Sequence, residues 1–454
     1  MPLVRAIVDK TLRTPQGERW YNVVEHLTDA GFDTWWVGGC VRDMLQGIIP
    51  TDIDVATAAT PEQVCSIFPR ARDEASALGS VRVLIGTETF EVTTFREDDE
   101  ASNGRHPTAV VFGTREQDAC RRDFTVNALY WHPISQQIYD PFNGERDLKE
   151  KLVRFIGEPG IRIRHDALRM LRAVRLRATI SGQYHPDTYR ALQECASMVD
   201  VLSGSRQLEE LEKMLVCPHP EIALEDLWEI GILQRMLIEL HACKGIAQPA
   251  DYHHEGDVWN HLIACAKAFR EEHAEDVRLA AVFHDCGKAK TFGMDESRIR
   301  FDQHASVSAD LTAAVLDRLQ CPRKRREKIV WLIRHHMMMG SFAKMSEERK
   351  AHWYFHPWFE ELLQLFWLDI AGTDPSDFSL YDSIAKDSQT FLDAHPAPPK
   401  QLLTGEEVME VLRLREGEAV GEALRKLHEA QVKGVVKTKR DAKEFLLKNS
   451  QPKE

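Results

Sequence analysis

The stretch that decides the fold is Gly38-Gly39-Cys40-Val41-Arg42-Asp43, followed closely by Thr51-Asp52-Ile53-Asp54-Val55. Trp35-Trp36-Val37 predicts a strand that runs into a Gly-Gly turn, and residues 41–45 predict the helix that follows the turn. The next strand is expected to carry Asp52 and Asp54. Because these residues are two positions apart on one strand, their carboxylates should project from the same face.

Two carboxylates at that distance repel each other unless hard cations lie between them, and Mg²⁺ held by carboxylates and substrate phosphates is the usual arrangement. Gly38 and Gly39 would let backbone N–H groups approach a phosphate closely. The pattern predicts metal-assisted phosphoryl transfer from a nucleoside triphosphate, with two metals about 3.5–4 Å apart. An Asp-x-Asp pair by itself is also typical of a solvated strand end, but the Gly-Gly-x-Val-Arg-Asp run before it favours a site for metal ions and a nucleoside triphosphate.

Length and composition set the class of protein. At 454 residues the chain is too long for one core and predicts three or four packed units. Its formal charge of −13 argues against a broadly cationic nucleic-acid coat, although not against a local basic groove. The nine cysteines form no C-x-x-C pair, and there is no signal sequence or long apolar run. A cytoplasmic protein with free thiols and no membrane segment is therefore expected.

The pattern along the chain divides it into four segments. Residues 1–145 mix strands and helices, including a helix start at Thr60-Pro61, a hairpin with its turn at Gly86-Thr87-Glu88, and a polar loop over 98–107. Residues 146–240 are helical, and residues 241–390 are again helical and hold 11 of the 19 histidines. Residues 391–454 begin with a Pro-rich linker, and two short helices are expected to complete the chain.

Two further motifs suit a nucleotide. Arg121 and Arg122 begin Arg-Arg-Asp-Phe-Thr-Val-Asn, and guanidinium forks bind phosphate oxygens bidentately, although a surface salt-bridge patch is an alternative. Residues 161–178 (IRIRHDALRMLRAVRLRA) place Asp166 and Arg169 one turn apart on a predicted helix. A carboxylate beside a guanidinium complements the amino donor and ring-nitrogen acceptor of cytosine and adenine and opposes guanine and uracil. A solvated charged face is the alternative interpretation.

With these motifs the sequence resembles the class II tRNA nucleotidyltransferases, the CCA-adding enzymes, and the related bacterial poly(A) polymerases. Five motifs match in the family's order over roughly residues 20–240. The resemblance implies an α+β fold: a small polymerase-β-like mixed sheet head, followed by a largely α-helical neck, body and HD domain. It implies Asp52 and Asp54 as Mg²⁺ ligands and Glu91 as a third carboxylate. It also implies these nucleotide-binding positions: Gly38, Gly39, Arg42, Arg122, Asp166, Arg169, Arg172 and Arg175.

The family pattern carries three more expectations. Residues 203–215, with Arg206 and Glu210, resemble a helical brace behind the base-reading site. The residue before Asp166 is usually acidic in the family and is His165 here, which bears on nucleotide choice. The loop after Phe95-Arg96 is present, and in the family this element accompanies addition of the terminal A, so its presence favours full CCA addition or A-addition over CC-addition alone.

The implied reaction is attack by the tRNA 3′-OH on the α-phosphate of CTP or ATP, with release of pyrophosphate. One metal would lower the pKa of the hydroxyl, and the other would stabilise the leaving group. The tRNA is expected to be held along its acceptor arm by shape and backbone contacts. A poly(A) polymerase is the nearest alternative, and an HD phosphohydrolase with an RNA-binding head is a further one. The sequence does not indicate an oligomeric state.

The histidine-rich half carries a second candidate site. His254-Glu255-Gly256-Asp257-Val258-Trp259-Asn260-His261 precedes His284-Asp285-Cys286-Gly287-Lys288 on the next predicted helix. Imidazole and carboxylate ligands suit Mn²⁺, Fe²⁺, Ni²⁺, Zn²⁺ or Mg²⁺ without selecting among them. The pattern resembles the HD phosphohydrolase domains fused to some bacterial CCA-adding enzymes. That resemblance implies a possible phosphohydrolase activity on RNA 3′ ends and a metal set of His261, His284, Asp285 and Asp369, with His304 and His336 as candidates for a second ion.

Overall fold

The computed structural model describes residues 7, 10, 14–75, 79–85, 88–97, 111–251, 253–295, 298–397, 400–432 and 435–449. The chain divides into two compact units, Met1–Ile238 and Glu239–Glu454. The expected loop over 98–107 and the turn residues Gly86 and Thr87 lie outside the described residues.

The first unit is organised by a mixed sheet of seven strands in the order β3-β4-β5-β2-β1-β8-β9. Neighbouring strands are antiparallel except β2 and β5, which are parallel. Short pairs β6–β7 and β10–β11 lie outside this sheet. The strands are β1 (Thr34–Val37), β2 (Asp54–Thr57), β3 (Arg72–Ala75), β4 (Ser80–Ile85), β5 (Glu88–Thr94), β6 (Arg96–Glu97), β7 (Val111–Phe112), β8 (Tyr130–His132), β9 (Gln137–Tyr139), β10 (Leu152–Val153) and β11 (Gln183–Tyr184).

Helices flank the sheet and then replace it along the chain. They are α1 (Pro15–Asp29), α2 (Gly39–Leu45), α3 (Pro61–Ile67), α4 (Arg115–Arg121), α5 (Gly144–Lys149), α6 (Pro159–His165), α7 (Leu168–Ile180), α8 (Pro186–Glu194), α9 (Gly204–Leu215), α10 (Pro220–Glu229) and α11 (Leu233–Met236). Thr60 caps α3 as predicted, because its side chain accepts from the N–H of Gln63 while the Gln63 side chain reaches back to the Thr60 N–H. Trp36, Tyr130 and Trp131 are fully buried in the sheet.

The register of the sheet places the predicted carboxylates. The expected β1-turn-α2 order is confirmed, but β2 begins at Asp54, so the prediction that Asp52 lies on the strand is wrong: it lies in the bend just before it. Val55 pairs with Val92 in the parallel β2–β5 ladder, which puts Asp54 beside Glu91. Since Val55 and Val92 are buried, the alternation of side chains turns Asp54 and Glu91 to the opposite, open face.

The second unit is almost entirely helical, as expected. Its elements are α12 (Ile238–His241), α13 (Val258–Lys267), α14 (Glu275–Phe283), α15 (Lys288–Thr291), β12 (Phe292–Asp295), β13 (Arg298–Phe301), α16 (His304–Arg318), α17 (Arg323–His335), α18 (Glu347–Tyr354), α19 (Phe359–Ala371), α20 (Ser379–Ala394), α21 (Gly405–Leu412), α22 (Glu418–Val432) and α23 (Lys439–Asn449). The β12–β13 hairpin was not predicted.

The C-terminal segment differs from the prediction. In the described part of this segment, three helices rather than two follow the Pro-rich linker, and α21, α22 and α23 share an apolar cluster of their own. Leu403, Val408, Leu427 and Leu446 are buried in that cluster. Among the described residues, no helix is both long and apolar enough to span a bilayer.

Candidate active sites

A cleft of about 360 Å³ in the first unit collects residues that the sequence analysis took from four separate motifs. Strand β2, the turn before α2, the end of α4 and the α6–α7 junction all contribute to it. The lining residues are Gly38, Gly39, Asp54, Arg96, Arg121, Arg122, Asp123, Asn127, Asp166, Arg169 and Arg172.

Asp54 lies at the negative centre of this cleft. Enclosure of its carboxylate by the cleft, followed by repulsion from Asp52 and Glu91, raises the pKa of Asp54 above its ordinary value. The positive charges of Arg122 and Arg172 oppose that rise. Among the described residues, the oxygens of these three carboxylates do not all lie within 4.8 Å of one another, and of the three only Asp54 lines the cleft. A hard divalent cation bound at Asp54 would relieve the repulsion that it feels from Asp52 and Glu91.

Gly38 and Gly39 occupy different positions, one in the turn and one at the start of α2. The N–H of Gly38 donates to the carbonyl of Leu129 at 3.2 Å, so the prediction of a phosphate-facing N–H is wrong for this residue. The backbone conformation instead requires glycine at position 38, because its φ of +82° is unfavourable for a residue with a side chain. A Cβ at Gly38 would lie 3.6 Å from Arg122 Nη1 and 3.7 Å from Asp54 Oδ2, so the turn brings the backbone between these two groups. Gly39 is the first residue of α2.

The guanidinium of Arg122 is oriented by buried hydrogen bonds to Asp118 and Tyr130. Its Nη2 donates to Asp118 Oδ2 at 3.0 Å and its Nε donates to Tyr130 Oη at 2.9 Å, while Tyr130 Oη donates to Asp118 Oδ2 at 2.6 Å. Asp118 also pairs with Arg121 at 2.7 Å. Burial opposes ionisation of Asp118, but Arg122 and Arg121 outweigh it and lower the pKa of that carboxyl. Asp118 was not singled out in the sequence, although its i, i+3 and i, i+4 spacing to the two arginines was a readable signal.

Arg42 and Arg172 are joined through two residues of the same Arg-Arg-Asp motif. Arg42 Nη1 donates to Asn127 Oδ1 at 2.9 Å, and Asn127 Nδ2 donates to Asp123 Oδ1 at 3.2 Å. The second oxygen of Asp123 accepts from Arg172 Nε at 2.7 Å. This chain of hydrogen bonds fixes the orientation of both predicted nucleotide-contacting arginines relative to one another.

Asp166 and Arg169 both lie in the cleft, but not on one helix. Asp166 has φ −149° and ψ 102° and separates α6 from α7, so the prediction of one helix that carries both residues is wrong. Asp166 Oδ1 accepts from the N–H of Leu168 at 3.1 Å, and this capping bond fixes the carboxylate at the start of α7. Arg169 donates to the carbonyls of Arg162 at 3.0 Å and Arg121 at 3.3 Å. Side chains that bond the backbone in this way are rigid, as a base-reading pair requires.

The predicted brace over residues 203–215 lies mainly in α9, and His165 lies on α6. Arg175 Nε donates to Glu210 Oε2 at 2.8 Å, which ties α7 to α9. Arg206 lies in the first turn of α9, and its N–H is capped by Ser203. His165 is the last residue of α6 and is exposed. Arg162, which the sequence analysis did not single out, donates to the carbonyls of Arg121 and Arg122 and so secures the end of α4.

In the second unit, the predicted metal residues converge on one buried centre. Nε2 of His261 lies 3.3 Å from Nε2 of His284 and 3.3 Å from Asp369 Oδ1. Asp285 Oδ2 lies 3.4 Å from His284 Nε2, while its Oδ1 faces His304 at 3.3 Å and His336 at 3.8 Å. Asp285 therefore stands between two groups of ligands, one on each of its oxygens.

This centre fits divalent cations. Asp285 Oδ1 and His304 Nε2 are buried and make no hydrogen bond within the described part of the chain, which is costly unless a cation satisfies them. Burial and the neighbouring His284 lower the pKa of His336 to about 4, so this imidazole is neutral, which is the metal-binding form. Lys288 Nζ lies 2.6 Å from Asp285 Oδ2 and donates to Gln248 Oε1 at 2.7 Å.

Three family descriptions match the chain in succession: the poly(A) polymerase head domain over residues 34–154, the probable RNA- and SrmB-binding site of polymerase A over 183–244, and the HD domain over 251–386. A CC-adding tRNA nucleotidyltransferase of Thermus thermophilus is 32% identical over 438 residues, covering 91% of this chain and 93% of that protein. A CCA-adding enzyme of Geobacillus stearothermophilus is 38% identical over 219 residues, covering 48% of this chain and 54% of that enzyme.

The structural comparison agrees with these matches. The crystal structure of the Bacillus stearothermophilus CCA-adding enzyme with CTP aligns with a TM-score of 0.69 and 26% identity, covering 96% of this chain and 98% of that one. The Thermotoga maritima CCA-adding enzyme with tRNA shares the fold at a TM-score of 0.54 and 17% identity. With a relative that is 32% identical and matches over 91% of this chain, and with three family descriptions matched in succession, the chain belongs to the tRNA nucleotidyltransferase family with a fused HD domain.

Proposed function

We propose that this chain adds C and A to the 3′ end of tRNA without a template, using CTP and ATP. The observation that carries the proposal is the single cleft in which Asp54, Arg122, Asp166 and Arg169 meet. Names of the relatives support the same reaction, since they are CC-adding and CCA-adding tRNA enzymes.

The groups that line the cleft and those beside it have distinct tasks in this reaction. Asp52, Asp54 and Glu91 would hold Mg²⁺, which when bound activates the tRNA 3′-OH and stabilises the leaving pyrophosphate. Arg122, oriented by Asp118 and Tyr130, binds the triphosphate as a fixed fork. Arg42 is oriented by Asn127 and adds a second cation on the side of α2. Because these groups are braced before substrate arrives, little reorganisation is needed at the moment of reaction.

Nucleotide choice rests on Asp166 and Arg169. The carboxylate accepts from the exocyclic amino group of cytosine or adenine, and the guanidinium donates to the adjacent ring nitrogen. Guanine and uracil present a carbonyl to the carboxylate and an N–H to the guanidinium, so both contacts become repulsive. The size difference between C and A is tolerated because the pair reads an edge that the two bases share.

Incubation of the protein with tRNA that ends before its CCA, and with each labelled triphosphate alone and in combination, tests the proposal. We expect CTP and ATP to be incorporated and the product to stop after three residues. Incorporation of UTP or GTP at comparable rates would contradict it. Long A tails with ATP alone would instead indicate the poly(A) polymerase alternative.

CC-addition alone is a second candidate, because a relative that matches over 91% of this chain is named a CC-adding enzyme. The same assay separates the two reactions. With CTP and ATP together, a product that stops after two C residues supports CC-addition, and a product that ends in A supports CCA-addition.

We further propose that the HD centre is a phosphohydrolase acting on phosphorylated RNA 3′ ends. The meeting of His261, His284, Asp285 and Asp369, with His304 and His336 on the other side of Asp285, supports a site for one or two divalent cations. Hydrolysis of 2′,3′-cyclic nucleotides is expected to require a divalent ion and to be lost in Asp285→Ala. Hydrolysis that persists in this variant would contradict the proposal.

The remaining domain assignments are proposals that follow from this function. Residues 1–145 form the nucleotidyltransferase head, 146–240 the base-reading neck and body, 241–390 the HD domain, and 391–454 a tail that contacts tRNA. The nine cysteines are free thiols, which supports a reducing cytoplasmic compartment.

A further inference from the structure

The four histidines of the HD centre are oriented in two different ways. In three of them, Nδ1 lies at hydrogen-bond distance from the carbonyl three residues earlier in the chain. A carbonyl oxygen can only accept, so each of these Nδ1 atoms carries the proton and each Nε2 is left as the ligand atom. The three contacts are His284 to Ala281 at 2.8 Å, His304 to Phe301 at 2.8 Å and His336 to Ile333 at 2.7 Å.

His261 does not use such a local carbonyl. Its Nδ1 lies 3.3 Å from Glu255 Oε1 and 3.2 Å from the carbonyl of Gly372. Among these four histidines, it is the one whose Nδ1 faces a carboxylate. A carboxylate behind a ligating imidazole holds the tautomer and ring orientation and makes the ring a stronger ligand than a carbonyl does.

Glu255 is itself tightly fixed. His253 Nδ1 lies 2.6 Å from Glu255 Oε1, and the N–H of Asp374 donates to Glu255 Oε2 at 3.0 Å. Asp374 follows α19, the helix that carries Asp369. The Glu255 carboxylate therefore contacts two segments that carry proposed ligands. One contact is the ring of His261 on α13, and the other is the backbone N–H of Asp374, which follows the helix of Asp369.

We infer that Glu255 is a positioning residue for the HD metal centre, which together with the carbonyl of Gly372 holds the His261 ring by its Nδ1 and keeps Nε2 aimed at the ion. This inference rests on the proposed metal-binding function of the centre. The competing interpretation is that Glu255 only tethers the Asp374 segment. Such a tether would affect folding without changing the ¹⁵N shifts of the His261 ring.

Two substitutions distinguish these interpretations. Glu255→Gln keeps the size of the side chain and an acceptor oxygen but removes the charge, while Glu255→Ala removes both. Glu275→Gln is the matched control, since Glu275 lies in the same unit, is 65% exposed and pairs with Arg325 at a distance of 3.9 Å. The readouts are Mn²⁺ affinity by calorimetry and the ¹⁵N shifts of the His261 ring, identified by their loss in His261→Asn.

We expect Mn²⁺ affinity to fall by about 10- to 100-fold in Glu255→Ala. The affinity of Glu255→Gln should lie between that of Glu255→Ala and that of the wild type, and the affinity of Glu275→Gln should not change. In the metal-free protein, the ¹⁵N shifts of the His261 ring are expected to move in Glu255→Ala, because Nδ1 then keeps the carbonyl of Gly372 but loses the carboxylate. Incorporation of CMP into tRNA by the head should be unchanged, and a far-ultraviolet circular dichroism spectrum that matches the wild type shows that the second unit of each variant is folded.

Unchanged ¹⁵N shifts of the His261 ring in Glu255→Ala, with unchanged Mn²⁺ affinity, would overturn the inference. The shifts are measured without metal, so this result does not depend on the phosphohydrolase. Failure of the proposed function would look different: the wild type would show no divalent binding that Asp285→Ala removes.

Discussion

Asp118 and Arg122 form an ion pair at the back of the nucleotide cleft, with 3.0 Å between Oδ2 and Nη2 and with the Asp118 side chain only 1% exposed. Tyr130 closes the contact by donating to Asp118 and accepting from Arg122. The guanidinium that is proposed to hold the triphosphate is thus oriented by two residues that need not touch the substrate.

Asp118→Asn is predicted to destabilise the first unit by about 3–5 kcal/mol, because removal of one partner leaves buried charges uncompensated. The pKa of Asp118 is lowered in the folded protein, so its stabilising effect is present above the unfolded-state pKa of about 4 and is lost as pH falls below it. Chemical denaturation of both proteins should give a constant difference from pH 8 to about 5 and a shrinking one below about pH 4. A difference that grows on acidification would contradict this prediction.

Gly38→Ala is predicted to lower kcat for nucleotide addition. The positive φ of this position costs about 1–3 kcal/mol with a side chain, and relief of that strain would move the turn between Asp54 and Arg122. Gly31→Ala is the control, since Gly31 has φ +90° and nothing within 4 Å of its would-be Cβ. The control should lose comparable stability by thermal denaturation while keeping kcat. Equal loss of kcat in both variants would show that the position of Gly38 has no special role.

Asp166→Asn is predicted to relax base choice. The amide keeps an oxygen that can cap Leu168, but it can also present an N–H to the carbonyl of uracil or guanine. The ratio of kcat/KM for CTP over UTP should fall by about 10- to 100-fold, or about 1.4–2.8 kcal/mol. Asp187→Asn, at a 59% exposed carboxylate, serves as the control. An unchanged ratio would remove Asp166 from the base-reading role.

The HD centre is predicted to hold two divalent ions, because Asp285 presents one oxygen to His284 and the other to His304. Metal analysis of Asp52→Ala/Asp54→Ala protein, which lacks the head site, should find about two ions, consistent with a carboxylate shared by two metals. His336→Asn in the same background should remove one of them. Retention of both ions would place His336 outside the ligand set.

Much of this arrangement could be predicted from the sequence, because residues a few positions apart determine the local structure of a short motif. The β1-turn-α2 element, the Thr60 cap and the adjacent His284-Asp285 pair each depend on residues a few positions apart. Asp166 marks the limit of such local patterns: its side chain bonds the N–H of Leu168 and ends one helix before the next begins, where periodicity predicted a single helix.

The rest depends on contacts between distant segments, which no local pattern encodes. Glu91 lies beside Asp54 only through the β2–β5 register. Glu255 reaches Asp374, 119 residues away, and Arg172 reaches Asp123, 49 residues away. In each case the two residues become neighbours only when the chain folds, because folding buries their polar groups together and those groups must then find partners.

The most direct measurement is single-turnover incorporation of labelled CMP and AMP into tRNA lacking its CCA, by wild type and by Asp52→Ala/Asp54→Ala, with Asp187→Asn as control. If these carboxylates hold the ions that drive nucleotide joining, the double variant should lose at least 10³-fold in rate, about 4 kcal/mol of barrier, while the control keeps the wild-type rate. Extension of the tRNA by the double variant at the wild-type rate would contradict the assignment of this cleft as the active site.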